Sequence, residues 1–93
     1  MPYIKLDRRQ KLDPLIEPIQ KQLVELENNP GDYNYVISRI LGAMWNSKPR
    51  YVTICLIMGT LLCVAVEFYR RVAGHYENKA IKNNGDLNEF RCD

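Results

Sequence analysis

The side chains best suited to chemistry are concentrated late in the chain, in Glu67-Phe68-Tyr69-Arg70-Arg71 and His75-Tyr76-Glu77. Arginine presents a planar set of N–H donors that matches the oxygens of a phosphate. Tyrosine stacks on a base or a ribose, and its hydroxyl bonds polar edges. This combination predicts a pocket for an anionic, nucleotide-like small molecule. The ligand-binding residues predicted here are Glu67, Tyr69, Arg70, Arg71, His75 and Tyr76.

A solvated helix face is the alternative interpretation of this cluster. On a helix, Glu67 and Arg71 would form a favourable i,i+4 ion pair in contact with water. In a symmetric oligomer, however, Tyr and Arg side chains from two copies would converge without needing a cleft within one chain. The alternative interpretation and the binding pocket both remain open at this point.

A second polar cluster lies in Asp32-Tyr33-Asn34-Tyr35 and is followed by Arg39. Asp32 is the predicted N-cap of a helix, and the N–H groups of a helix N-terminus can bind anions. We therefore add Asn34 and Arg39 to the predicted ligand-binding residues. Packing and capping are the more common roles of such residues, and the carboxylate of Asp32 would compete with an anionic ligand.

Catalytic and metal-binding patterns are not evident. His75 is the single histidine and has no neighbouring nucleophile, while Glu17, Glu25 and Glu27 lack the Glu-x-x-Glu spacing of a helical magnesium site. The three cysteines have no Cys-x-x-Cys spacing, which does not match a zinc site. Cys55 and Cys63 would lie about 12 Å apart along one helix, too far for a disulfide. No catalytic residue, metal or cofactor is predicted, and an enzyme is the least favoured class.

The elements that must position these residues are all helices. Asp13-Pro14 predicts the start of a first helix, and Asn28-Asn29-Pro30-Gly31 predicts its end. A second helix follows from Asp32 to the break at residues 46–49, and a third runs from about Arg50 to Asn83, with Gly85 as a left-handed C-cap. We predict an all-α fold in which two shorter antiparallel helices pack on one long third helix. The expected organisation is an arm at 1–12, one helical domain at 13–85 and a tail at 86–93.

The third helix would be longer than its own chain can cover. About 34 residues span roughly 50 Å, whereas the first two helices have about 15 residues each. A chain of 93 residues also buries only a thin core. These lengths predict a homo-oligomer. In the tail, Leu87 and Phe90 would dock on the domain or pair in a short strand with residues 3–6.

The apolar half of that helix raises a membrane alternative. The uncharged stretch from Tyr51 to Val66 spans roughly 24 Å, less than the ~30 Å hydrocarbon core of a bilayer. It includes Thr53, Gly59 and Thr60, and it leads directly into charged residues. Burial by the chain and neighbouring subunits is therefore favoured, and with no apolar segment typical of a signal peptide we expect a cytoplasmic protein. The net charge of +2 does not indicate a nucleic-acid polymer as partner.

Several segments resemble an uncharacterised family, a domain of unknown function, of small proteins from bacteria, archaea and their phages. The similar segments are residues 30–39, Glu67-Phe68-Tyr69-Arg70-Arg71-Val72, Tyr76-Glu77 and Asn83-Asn84-Gly85-Asp86, and the resemblance extends over residues 2–86. Family members carry more charge where this chain has Ile54-Cys55-Leu56-Ile57-Met58-Gly59, and they often have proline where His75 stands. These departures favour deeper burial of the apolar half and an unbroken helix.

The resemblance implies a phage or mobile-element context but no assigned activity. By analogy with small phage proteins that sequester signalling nucleotides, the first hypothesis is a homo-oligomeric binding module that captures a nucleotide-like molecule in counter-defence against host immunity. The first alternative is a protein–protein adaptor or an inhibitor of a host protein. The second alternative is a small membrane-associated protein.

Overall fold

Helix α1 spans Leu6–Glu25. The computed structural model describes residues 2–91, and it places the start of this helix well before the predicted Asp13-Pro14. Good helix formers occupy residues 8–12, and Asp7 lies in the first turn, where a negative charge is favourable. The predicted start at Asp13 is therefore wrong, and Pro14 and Pro18 both lie inside the helix. The described part of the N-terminal arm is limited to residues 2–5.

The arm is held to the helix by Arg9, whose Nε donates a hydrogen bond to the carbonyl oxygen of Ile4 at 2.7 Å. At the other end, α1 stops in the predicted region through a Schellman motif. The amide of Asn28 donates to the carbonyl of Leu23 at 3.0 Å, and the amide of Glu27 donates to that of Val24 at 2.9 Å. Glu27 takes the left-handed position of this motif, with φ of 68°.

Helix α2 spans Pro30–Ser47. Its N-cap is Asn29, whose Oδ1 accepts a hydrogen bond from the amide of Gly31 at 2.9 Å. The prediction of Asp32 as the N-cap is wrong, because Pro30 acts as the first helical residue rather than as a helix breaker. The fixed φ of proline suits that position, and its missing N–H costs nothing there. Asp32 lies in the first turn instead.

The third helical run extends over Tyr51–Asn84 and is 34 residues long, which confirms the long third helix. It consists of α3 at Tyr51–Phe68, a π turn at Tyr69–Ala73 and α4 at Gly74–Asn84. At its start, the hydroxyl of Thr53 donates to the carbonyl of Lys48 at 2.5 Å.

The helical run ends where Gly85 has φ of 94° and ψ of 152°. The positive φ agrees with the prediction, although ψ lies outside the left-handed helical region. A 3-10 turn at Asn88–Phe90 follows. The described residues contain no strand, so the alternative of a short strand at the tail is not observed.

Burial is sparse throughout the described residues, where Leu23 and Thr53 are the buried side chains. The fold is all-α with a long third helix, as predicted. The chain divides into one unit up to Gly59 and another from Thr60 onward. Antiparallel packing of the helices and self-association remain predictions.

The apolar part of the long helical run is almost entirely uncovered by the chain. The run has the length and apolar composition required of a membrane-spanning helix, and 6% of its most apolar stretch is buried. Large apolar side chains remain exposed along it, among them Leu56, Met58, Leu62, Val64 and Val66.

Candidate binding site

The π turn lies within the polar cluster that the sequence singles out. The amide of Gly74 donates its hydrogen bond to the carbonyl of Tyr69, five residues earlier, instead of four as in an α-helix. Arg70 and Arg71 both lie within this turn. Single π turns inside α-helices are rare and occur often at functional sites.

The extra residue of the π turn changes which side chains share a face of the helix. In an unbroken α-helix, Tyr69 and Glu77 would be offset by about 80°, since each residue adds about 100° of rotation. Because the π turn holds one more residue in a single turn, the offset falls to about 20°. By the same reasoning Ile81 also comes to the face of Tyr69. The π turn thus aligns Tyr69 with one side of α4.

A concave site of about 420 Å³ lies on this face, within the unit that begins at Thr60. Its wall along the helix includes Tyr69, Glu77, Ile81 and Asn84, and its other wall comes from the tail. The positive φ of Gly85 redirects the chain after α4. The site is therefore built from one helical face and the segment that follows it.

The tail wall is organised by two local interactions. Asp86 Oδ1 accepts a hydrogen bond from the amide of Leu87 at 2.7 Å. The amide of Phe90 donates to the carbonyl of Leu87 at 3.1 Å, which closes the 3-10 turn. Leu87 and Phe90 both line the concave site, and both side chains remain largely exposed, so their docking on the domain stays a prediction.

The lining combines aromatic surface with hydrogen-bond acceptors. Tyr69 is 63% exposed and Phe90 is 73% exposed, so both rings are accessible to a ligand. Glu77 and Asp86 contribute carboxylates, and Asn84 contributes an amide. No Lys, Arg or His is among the described residues that line the site. The interior of the site thus suits a flat ligand with N–H donors, whereas an anionic group fits better outside it.

Arg70 is held by Glu67. Arg70 Nη2 lies 2.5 Å from Glu67 Oε1, and Arg70 Nε donates to Oε2 at 3.4 Å. The Arg70 side chain nevertheless remains 63% exposed. Because the Arg70 side chain is largely in water, the pair is screened and contributes about 1 kcal/mol or less, so an incoming phosphate can compete for the guanidinium.

The other predicted ligand-binding residues are distributed between the two units. His75 and Tyr76 are exposed in the first turn of α4 and do not belong to the lining described above. Asn34 and Arg39 lie on α2, in the unit that ends at Gly59.

The cluster on α2 consists of contacts between successive helical turns. Arg39 Nη1 donates to the hydroxyl of Tyr35 at 2.7 Å, and the guanidinium carbon lies 5.7 Å from the centre of that ring. The hydroxyl of Ser38 donates to Asn34 Oδ1 at 3.3 Å. Both contacts join residues four apart on α2, and pairs of this kind stabilise the surface of a helix.

The predicted ligand-binding residues did not include four residues that line the site, Glu77, Asn84, Asp86 and Phe90. The one indication for Phe90 in the sequence is that it is an apolar residue in a polar tail. The π turn itself has no clear sequence signature. Among the described residues, no group of three or more His, Cys, Asp or Glu side chains is arranged to hold a metal ion.

No curated protein and no solved structure matches the chain. A family model described as a domain of unknown function, DUF6899, matches residues 1–87. This agrees with the resemblance found over residues 2–86. The chain is therefore a member of the DUF6899 family.

Proposed function

We propose that the protein is a homo-oligomeric binding module that captures an anionic, nucleotide-like small molecule around Tyr69. The observation that carries this proposal is the π turn at Tyr69–Ala73, which aligns an exposed tyrosine with a concave site while the two arginines occupy the same turn. Nucleotide-binding sites commonly offer an aromatic surface to the base and cationic donors to the phosphate. In this chain Tyr69 offers the aromatic surface and Arg70 and Arg71 offer the cationic donors, in three consecutive residues.

The arginines would receive the phosphate. Arg70 already binds a carboxylate through two nitrogens, a geometry that the guanidinium can also offer to phosphate oxygens. Its exposure leaves it accessible to a ligand in solution. Arg71 would add a second positive charge from the same turn.

Self-association is the part of the proposal that the sparse burial supports. Each Å² of apolar surface removed from water stabilises a protein by about 25 cal/mol, and one chain leaves most of the apolar surface of α3 uncovered. A second copy offers a matching apolar helix. Assembly through α3 would also bring several Tyr69–Arg71 clusters into one particle.

A role in counter-defence, within a phage or mobile element, is a further part of the proposal. It rests on the analogy with small phage proteins that sequester signalling nucleotides. The counter-defence role requires no binding residues beyond those of the nucleotide site.

The binding proposal is tested with the full chain by isothermal titration calorimetry and thermal shift, using mononucleotides, cyclic dinucleotides and inorganic phosphate. We expect at least one nucleotide to raise the melting temperature, because a ligand that binds only the folded state stabilises it. The double variant Arg70→Ala/Arg71→Ala should lose this effect. The matched control is Lys79→Ala/Lys82→Ala, which removes the same charge from α4. An absence of binding to every nucleotide contradicts the proposal.

A membrane-associated protein is the second candidate, and the exposed apolar run within Tyr51–Asn84 is the observation that favours it. Expression followed by membrane fractionation separates the candidates. A protein that remains in the supernatant and forms discrete oligomers without detergent supports assembly through α3. Recovery only in the membrane fraction, with release by detergent but not by high salt, supports insertion.

A further inference from the structure

We infer that the concave site beside Tyr69 receives the base of the nucleotide and selects guanine, with Glu77 as the residue that determines this choice. The inference rests on the proposed nucleotide capture and adds the identity of the base. It follows from the aromatic walls of the site, from its hydrogen-bonding groups and from the position of the arginines outside it.

The aromatic walls come from two different segments. Tyr69 lies in the π turn, and Phe90 lies at the end of the 3-10 turn. Both rings are largely exposed and both line the same space. Bases that are not paired with another strand are commonly bound by stacking on such side chains. Stacking alone accepts every base, so selectivity must come from polar groups.

The polar groups of the lining are mainly acceptors. An ionised carboxylate only accepts hydrogen bonds. One oxygen of Asp86 already accepts the amide of Leu87, and this interaction holds the tail in place. Glu77 lies on the helical wall, on the face that the π turn brings beneath Tyr69. Glu77 is therefore the carboxylate placed to read the ligand.

Guanine fits an acceptor with two oxygens. Its Watson–Crick edge presents the ring N1–H beside the exocyclic amino group, and these two donors match the two oxygens of a carboxylate. Adenine presents an amino group next to a ring nitrogen that is itself an acceptor. Uracil presents one ring N–H between two carbonyl oxygens, and cytosine presents an amino group next to a ring nitrogen and a carbonyl oxygen that both accept, so neither has two adjacent donors. Of the common bases, guanine alone offers two adjacent donors on this edge.

The charge distribution also fixes the orientation of the ligand. Two carboxylates in the lining disfavour a phosphate inside the site. Arg70 follows Tyr69 directly in the chain, so its side chain emerges about 100° further around the helix. The base therefore lies inside the site, and the phosphate lies towards the arginines.

The test measures the affinities of GMP, IMP and AMP by titration calorimetry with the intact protein. IMP retains N1–H but lacks the exocyclic amino group. We expect GMP to bind about tenfold or more tightly than AMP, with IMP between them, since one bidentate contact provides discrimination of this order. Glu77→Gln should remove most of this difference, with little change in AMP affinity. Glu89→Gln, which removes one nearby negative charge, is the matched control and should retain the preference.

Guanosine and adenosine test the orientation, because they lack phosphate. Guanosine should still bind more tightly than adenosine, and Arg70→Ala/Arg71→Ala should weaken GMP but leave guanosine unchanged. Phe90→Ala should weaken all bases to a similar extent, and circular dichroism will verify that each variant remains helical.

The possible failures are distinct. If GMP and AMP bind equally and Glu77→Gln has no effect, the inference about guanine is wrong while nucleotide capture stands. If no nucleotide or nucleoside binds, both are wrong. If only inorganic phosphate binds, the arginines form an anion site and the base site is rejected.

Discussion

Tyr69 and Gly74 are joined by a main-chain hydrogen bond from the amide of Gly74 to the carbonyl of Tyr69. This bond replaces the usual one between residues four apart. It shifts the face presented by every later residue of the helical run by about 100° relative to α3. The concave site depends on the resulting alignment of Tyr69 with α4, which deletions within the π turn can test.

Deletion of Val72 should convert the π turn into a regular α-helical turn. Tyr69 and Glu77 would then lie seven regular α-helical steps apart, so their offset would stay near about 20° and both would still line the site. We expect helix content by circular dichroism and nucleotide binding to be unchanged. Deletion of both Val72 and Ala73 would leave six steps and an offset of about 120°, which should abolish binding while the helix content is kept. Normal binding by the double deletion, or loss of binding in both variants, would contradict a site that depends on this alignment.

Glu27→Gly should stabilise the protein. Glu27 has φ of 68°, a conformation that costs a residue with a Cβ about 1 kcal/mol and costs glycine little. We expect the free energy of unfolding in urea to rise by up to about 1 kcal/mol. Glu25→Gly is the control, because Glu25 is helical and glycine there should lower stability by about 1 kcal/mol. Similar losses in both variants would contradict the assignment of Glu27 to the helix end.

Asn29→Ala should destabilise α2, since it removes the oxygen that accepts the amide of Gly31. Loss of an N-cap typically costs about 1 kcal/mol, to be measured by urea denaturation. Asn29→Asp retains an acceptor and should keep most of the stability. If Asp32→Ala proves more costly than Asn29→Ala, the cap assignment is wrong.

Leu62→Glu should disrupt self-association through α3. Leu62 is 65% exposed within one chain, so a charge there is tolerated by the single subunit but not in an apolar interface. We expect light scattering after size-exclusion chromatography to show smaller species than for the original protein. Lys79→Glu, a charge change on α4, serves as the control. An unchanged molar mass for Leu62→Glu would exclude this face from the interface.

The sequence predicted the helices well because their signals are local. The apolar spacing of α2 and the stop before Pro30 identified elements that the structure contains. The predicted starts of α1 and α2 were both wrong, because a proline can lie at the first position of a helix, within a helix or after its end. Pro14 was taken to start a helix but lies inside one, whereas Pro30 was taken as a breaker but starts α2.

The candidate site was predictable only in part. Tyr69, Arg70 and Arg71 were identified by residue type, and the structure adds the π turn that contains them. A single extra residue in one turn leaves no periodic signal, because the apolar pattern of the flanking helices is preserved on either side. Asp86 and Phe90 line the site because the chain changes direction at Gly85. The spacing of functional residues in the sequence does not predict such a change of direction.

The two walls of the concave site are built differently. The helical wall is one regular face of α4 with Tyr69, whereas the tail wall is formed by Asp86, Leu87 and Phe90 after the helix has ended. The tail is attached to the helix through one glycine and has few contacts to preserve. Substitutions in the few residues after Gly85 can therefore reshape one wall of the site while the helices stay the same.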